Sequence, residues 1–418
     1  MKTKVAIIIE RADVALGGAE RSVSELAEAI GAIGYETHIL AAKGQATAPN
    51  VHILCTDVPG KRTSYQVFAR ALKKHTEEVH YDILHSVVPF DFADIYQPRN
   101  GTFAESIIRK AATYPWPFFQ VLKRNTAFLN FRRTAWFGAE HRLAEVQTGP
   151  LVIAISNYVA KQFRTHYHIP ENRMVVIPNG IKPAGQIDKS RVDSFRAGLV
   201  AQLCSKETEN PVLFLFVGHD FKRKGLDCLI EAFGKLQQTD SHNPATLVIA
   251  GRASSTAYRR LAAKLGVEKK IVFLGNVSYI QELIAATDVA VLPTFNDPCS
   301  RSMLEALAAG KPVITTKFNG AIDLFTDNRH GRAIDDPRDI VALSEAIGYF
   351  TNRSNLNRAA NAIISDNLRQ NVSVARVAQQ LRTVYEEILE KRSEDDIGCI
   401  SNRGVSGRLD IIRNATRR

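Results

Sequence analysis

Short apolar runs recur along this chain and alternate with longer stretches whose apolar positions repeat at helical spacing. In the first half the runs are "KVAIIIE", "THILAA", "VHIL", "DILHSV", "LVIAIS" and "MVVIP", with amphipathic stretches such as 20–33 and 62–78 between several of them. The second half restarts with "PVLFLFVG", "ATLVIAG", "IVFLG", "VAVLPT" and "PVITT", each followed by a helix or a short turn. Strands that are apolar throughout and separated by helices predict parallel sheets covered on both faces. The expected class is therefore α/β, with two doubly wound domains.

Between the two halves, "PNGIKPAGQIDKSRVD" is rich in Pro, Gly and polar residues and has no apolar period. It places a domain boundary near residue 180, giving domains over 1–180 and 181–370. After residue 338 the pattern is helical, and a helix over about 371–392 is expected to pack back on the first domain. Residues 393–418 lose the periodicity and read as a loose basic tail.

Composition narrows the function classes. A chain of 418 residues, 45% hydrophobic and 23% charged, is too long for one ordinary core and has a globular balance. No run approaches the roughly 20 apolar residues of a spanning helix. The N-terminal "VAIIIE" is too short for a signal segment, so a cytoplasmic protein is expected. Five cysteines at 55, 204, 228, 299 and 399 have no metal-ligand spacing, which argues against a structural zinc. The net charge of +11 favours an anionic partner.

In open parallel sheets, ligands bind beyond the carboxyl ends of strands, against helix starts. Two such domains facing each other predict a site in the cleft between them. Three stretches have odd residues at such places. In "LGGAERSVSELAEAI", Gly17 and Gly18 precede a helix, where bare backbone N–H groups suit an anion. A tight turn needing positive φ is the competing explanation, and the spacing is not the GxGxxG of dinucleotide sites. In "FVGHDFKRKGLDCLIEAF", Lys222, Arg223 and Lys224 crowd a helix start whose dipole prefers anions. A phosphate among them would resolve the conflict; a solvated basic loop is the alternative. In "NDPCSRSMLEALAAGKPV", Asp297 follows a strand, Ser300, Arg301 and Ser302 open a helix, and Glu305 is placed near its first turn. A carboxylate there can accept hydrogen bonds from ribose hydroxyls, or can simply favour the helix dipole. His85 and Asp94, placed after the strand "DILHSV", are acceptor-side candidates by position, although a histidine there also serves as a structural residue.

Taken in order, "GGAER", "FVGHDFKRKG" and "DPCSRSMLEALAAGKPVIT" resemble the retaining glycosyltransferases of family 4, with "VIAISNYVAKQFRTHYHIPENRMVVIPNGI" and "VFLGNV" as supporting matches over roughly residues 5–390. Within that family the likeness is to glucosyltransferases of the lipopolysaccharide core. The resemblance implies the GT-B fold, two Rossmann-like domains facing across a cleft, and a nucleotide diphosphate sugar, UDP-glucose or a relative, as co-substrate without a metal or cofactor. It implies that Gly17 and Gly18 approach the donor phosphate, that Arg223 and Lys224 neutralise the leaving diphosphate, that Glu305 holds the ribose and that Asp297 touches the donor sugar. Asp297 stands where the family usually has Glu, and His219 where many members have Arg. A soluble glycan or a phospholipid-anchored polyol is the alternative acceptor, and a non-catalytic nucleotide or nucleic-acid binding protein is the rival from another class.

From Arg109 to Ala139 runs a stretch with six basic residues, no acid and both tryptophans. Mixed aromatic and basic residues suit an anionic bilayer surface. A single-strand nucleic-acid groove is the rival for this stretch, and a helix packed on the domain is the plain alternative. The expectation is a glycan or glycolipid acceptor, a peripheral position on the inner face of the cytoplasmic membrane and no nucleic acid.

Overall fold

The computed structural model describes residues 2–13, 17–60, 62–146, 149–203 and 211–396. Cys204, Cys399 and most of the expected tail, from residue 397 on, lie outside the described residues. The chain forms two compact units: one of residues up to Ile108, Val121–Lys182 and Val374 onward, the other of Arg109–Gln120 and Pro183–Ser373. Arg109–Gln120, which the sequence puts in the first domain, clusters with the second unit.

The first unit is built on β1 (Lys4–Ala12), β2 (Glu36–Gly44), β3 (Val51–Ile53), β4 (Ile83–Ser86), β5 (Ile95–Tyr96), β6 (Leu151–Ala154) and β7 (Met174–Val176). All pair in parallel, in the order β3-β2-β1-β4-β5-β6-β7, so the winding direction reverses between β1 and β4. Both sheet faces are covered, which is why β1 is apolar without alternation. Val5, Ile7 and Ile9 join one core cluster, whereas Ala6 and Ile8 join the other.

The second unit holds β8 (Val212–Val217), β9 (Ala245–Ala250), β10 (Ile271–Gly275), β11 (Val289–Leu292), β12 (Val313–Thr316) and β13 (Gly331–Ile334). Their order is β10-β9-β8-β11-β12-β13, again parallel, with the reversal between β8 and β11. Sequence patterning misses β5 and β13. A strand of two residues has no period to read, and "GRAI" carries a charged residue in its middle.

The helix Val374–Asp396 belongs to the first unit. Its Val374, Val377, Ala378, Leu381, Val384 and Tyr385 recur at helical spacing and pack with β1 and with Val23, Leu26 and Ile30 of the helix Gly18–Ala32. Burying a side chain such as Leu381 stabilises by about 1.5–3 kcal/mol.

Glu140 is fully buried in the same unit, on the helix Phe131–Glu145. The Tyr96 hydroxyl donates to its Oε1 at 2.8 Å, and the Phe103 N–H to its Oε2 at 2.8 Å, with the Tyr167 hydroxyl as a third donor. Burial outweighs these donors and pushes the carboxyl up to about 7. The folded state then holds its proton where the unfolded chain has lost it, so this group's contribution to stability falls as pH rises from about 4.5 to 7. Glu140→Gln keeps the shape and removes the titration. Thermal melts across that window should show a shallower pH slope for the variant, by a few kcal/mol in all; equal slopes would contradict the assignment.

Candidate active site

In the second unit, three neighbouring strands bring the candidate donor residues together. Beyond β8 the chain runs through Gly218 to the helix Leu226–Thr239, and beyond β11 through residues 293–300 to the helix Arg301–Ala308. Both loops leave the carboxyl ends of adjacent strands where the winding reverses, the place at which open parallel sheets bind ligands. Gly225 joins them: its φ is +74°, and a Cβ there would lie 2.0 Å from the Pro293 carbonyl oxygen. No other residue type allows this approach. The Phe295 N–H then donates to the Arg223 carbonyl at 2.9 Å, and the Thr294 hydroxyl to the same oxygen at 3.1 Å.

The three cations of the basic loop diverge. The Lys222 ammonium sits 3.5 Å from the centre of the Tyr114 ring, away from the others. Arg223 donates from Nη1 to the Asn296 carbonyl at 2.9 Å and from Nε to Asp220 Oδ2 at 3.3 Å, with about a third of its side chain exposed. Lys224 pairs with Asp297, and each side chain is only 12% exposed. Burial pushes the Lys224 ammonium down, and the Asp297 carboxylate opposes that shift. His219 is pushed down by burial and by Arg252 and Lys224 beside it, which favours its neutral form.

Asp297 is fixed through its backbone as well. Its N–H donates to the Phe318 carbonyl at 2.8 Å, and its carbonyl accepts from the Gly320 N–H at 2.9 Å. Asn319, between those two residues, is fully buried. Its Oδ1 accepts from the N–H of Ser300 and of Ala321, each at 3.1 Å, and its Nδ2 donates to Thr315 Oγ1 at 2.8 Å. Sequence reasoning passes over Asn319, although Asn-Gly after a strand is a turn signal. Ser300 and Ser302 share a hydrogen bond of 3.0 Å at the helix start. Glu305 falls in the helix's second turn rather than its first, buried at 6% exposure, and Arg301 approaches it at 3.4 Å.

In the first unit, Gly17 caps the helix Gly18–Ala32 with φ −179°, an extended conformation, and Gly18 is its first residue. Neither has positive φ, so the tight-turn explanation of the pair fails. A Cβ on Gly17 would lie 3.0 Å from Glu20 Oε2.

The two acceptor-side candidates are misplaced by the sequence reading. His85 lies within β4, not after it, and is fully buried. Its Nδ1 is 2.7 Å from the Tyr385 hydroxyl on the last helix, and burial pushes the imidazole down to about 3. Asp94 precedes β5, at the amino ends of the strands, opposite to the side where ligands bind. The Leu84 N–H donates to it at 2.7 Å and Arg392 of the same last helix pairs with it. Both residues serve the packing of that helix.

The carboxyl-end side of this sheet carries instead a cavity of about 330 Å³. It is lined by the end of β1, by Val87–Pro89 after β4 and by Pro98–Thr102 after β5, where the winding reverses. Four arginines, Arg11, Arg62, Arg99 and Arg132, face two glutamates, Glu10 and Glu20, around it. Trp136 lines it too, 3% exposed, and Ala139 is 2% exposed. The aromatic stretch expected at a membrane surface therefore stops short of Trp136. Upstream, Trp116 (67%), Phe118 (72%), Leu129 (75%) and Phe131 (88%) are exposed, and the helix Pro117–Thr126 buries none of its residues. Among the described residues no helix is long and apolar enough to cross a membrane.

Comparisons with known proteins agree with this architecture. Residues 16–184 match the Glycosyltransferase Family 4 model, and residues 204–365 match the Glycosyl transferases group 1 model. The lipopolysaccharide glucosyltransferase WaaG of Escherichia coli (strain K12) is 25% identical over 82% of this chain and 88% of its own length. Among solved structures, WaaG matches with a TM-score of 0.63 at 22% identity, over 94% of this chain and 100% of that one. Anabaena Alr3699/HepE in complex with UDP-glucose matches with a TM-score of 0.64 at 18% identity, over 94% and 99%. At such identities the structures speak to fold alone, and it is the same fold. With a Family 4 domain ahead of a group 1 domain, each on its own parallel sheet, the chain is a glycosyltransferase of the GT-B type.

Proposed function

We propose that this chain is a retaining hexosyltransferase that moves glucose from UDP-glucose to a lipopolysaccharide core or another lipid-linked glycan. The observation that carries this reading is that Arg223, Lys224 and Asp297 are held together on the loops beyond β8 and β11, with Glu305 buried on the helix that follows. WaaG of Escherichia coli, by its name a lipopolysaccharide glucosyltransferase, supports the acceptor class, and the UDP-glucose held by Alr3699/HepE supports the donor.

Breaking the bond between the anomeric carbon and the phosphate leaves negative charge on the diphosphate. Arg223 and Lys224 meet that charge without needing a metal, and fixed donors of this kind act most strongly where water is excluded. Gly17 and Gly18 offer backbone N–H groups to a phosphate. Glu305 accepts from the ribose hydroxyls, while Asp297, already holding Lys224, takes a sugar hydroxyl as a second donor. The acceptor oxygen attacks on the face from which the phosphate leaves, and the departing phosphate oxygen takes its proton. Configuration is then retained with no side-chain nucleophile.

The exposed aromatic residues around the helix Pro117–Thr126, with Lys123 and Arg124 on the same helix, form the membrane-facing part of this reading. In this reading rings sit at the headgroup boundary while cations meet phosphate, and the enzyme works peripherally on the cytoplasmic face.

Two measurements test these assignments. Arg223→Ala together with Glu305→Ala should lower donor hydrolysis and transfer by about a hundredfold or more, and unchanged turnover would remove the site from this loop pair. Sedimentation with anionic vesicles should fall sharply for the triple variant Trp116→Ala, Phe118→Ala, Phe131→Ala. Retained binding would refute the membrane surface.

A further inference from the structure

The cavity of the first unit is the strongest unassigned feature of the molecule, and its lining specifies a ligand. The Arg11 and Arg62 side chains reach it with no ion pair or hydrogen bond to another described residue. Arg132 is turned to Glu10, and Arg99 donates from Nη1 to Asn179 Oδ1 at 2.7 Å. One glutamate of the lining is thus already neutralised, and the surplus around the cavity is positive. Surplus arginines facing a concave surface recognise carboxylate or phosphate through their planar donor forks.

A second, independent observation comes from Trp136. Its indole N–H is buried and has no hydrogen-bond partner among the described residues. Buried donors are almost always satisfied, so an orphan beside a cavity calls for an acceptor atom from outside. A sugar hydroxyl supplies one, and an arginine-bound anion on the same sugar supplies the charge. The volume of about 330 Å³ is at the small end of ligand pockets, enough for one saccharide residue with its substituent.

We propose that this cavity is the acceptor subsite and that it takes a sugar residue bearing a phosphate or a carboxylate, gripped by Arg11 and Arg62 and oriented by the Trp136 N–H. The assignment rests on the glycosyltransferase reading above and adds the chemical class of the acceptor to it. Arg62, exposed at the rim, selects for the anion, and its loss spares the fold.

Trp116→Phe leaves Trp136 as the single tryptophan, so its fluorescence reports the cavity directly. In that background, glucose 6-phosphate and glucuronate should each be titrated against glucose and inorganic phosphate. The expected result is a saturable change with at least one anionic sugar, at least tenfold tighter than with glucose or phosphate alone. Which of the two binds better separates a phosphate-bearing acceptor from a carboxylate-bearing one. Arg62→Ala and Arg11→Ala should each weaken that binding at least tenfold, while the thermal stabilisation by UDP stays as in the parent. Equal binding of glucose, no binding of either anionic sugar, or indifference to both arginine substitutions overturns the proposal. A preserved UDP response in that case leaves the donor reading standing, whereas a missing UDP response alone would strike the donor reading and not the cavity.

Discussion

An ammonium and a carboxylate, Lys224 and Asp297, are held together almost out of water, and the second unit's loops are arranged around that pair. Neither charge is tolerable alone there, because an unpaired buried ion costs several kcal/mol. The pair can exist only because two loops from adjacent strands meet. They meet because Gly225 lets the backbone come against Pro293, and because Asn319 ties Ser300 to β12. Breaking any of these contacts would move a charge rather than merely loosen a loop. The charges at this point are therefore already committed to partners within the unit.

That dependence also explains how the basic loop is resolved. From the sequence, three cations at a helix start look like a single phosphate clamp. In the folded unit Lys222 spends its charge on the Tyr114 ring, and only Arg223 and Lys224 remain near Asp297. Tyr114 lies in Arg109–Gln120, and Arg109 itself stacks on Phe318 at 3.6 Å. Two cation–π contacts thus tie this short segment to the loops beyond β8 and β12, so it clusters with a unit distant in sequence.

The architecture was legible because buried parallel strands are apolar on both faces and write themselves as runs. Strands such as β8 and β11 needed nothing more, whereas β5 and β13 were too short or too polar to register. Of the candidate residues, Arg223, Lys224, Asp297 and Glu305 are singled out because charges stand next to apolar runs, and the fold puts them on the loops and helices beyond β8 and β11. His85 and Asp94 were found by the same rule and turned out to answer to Tyr385 and Arg392, some 300 residues away. Local pattern cannot report a partner at that separation. Trp136 misleads for a related reason: aromatic residues earlier in the same stretch, Trp116, Phe118 and Phe131, are exposed, but its own neighbours in space are Tyr65 and Phe90.

The last helix carries a consequence for how the molecule is made. Val374–Asp396 supplies core side chains to a sheet whose first strand begins at Lys4, and the whole second unit is threaded between them. During synthesis, which runs from the amino end at about 5–20 residues per second, the helix Gly18–Ala32 can cover part of the Val5, Ile7 and Ile9 face early, but the rest waits until residues 374–396 have emerged. The second unit, contributed mainly by one continuous segment, can complete itself first. The part of the first core that this helix covers is thus the last to be buried, although it lies against the first strand.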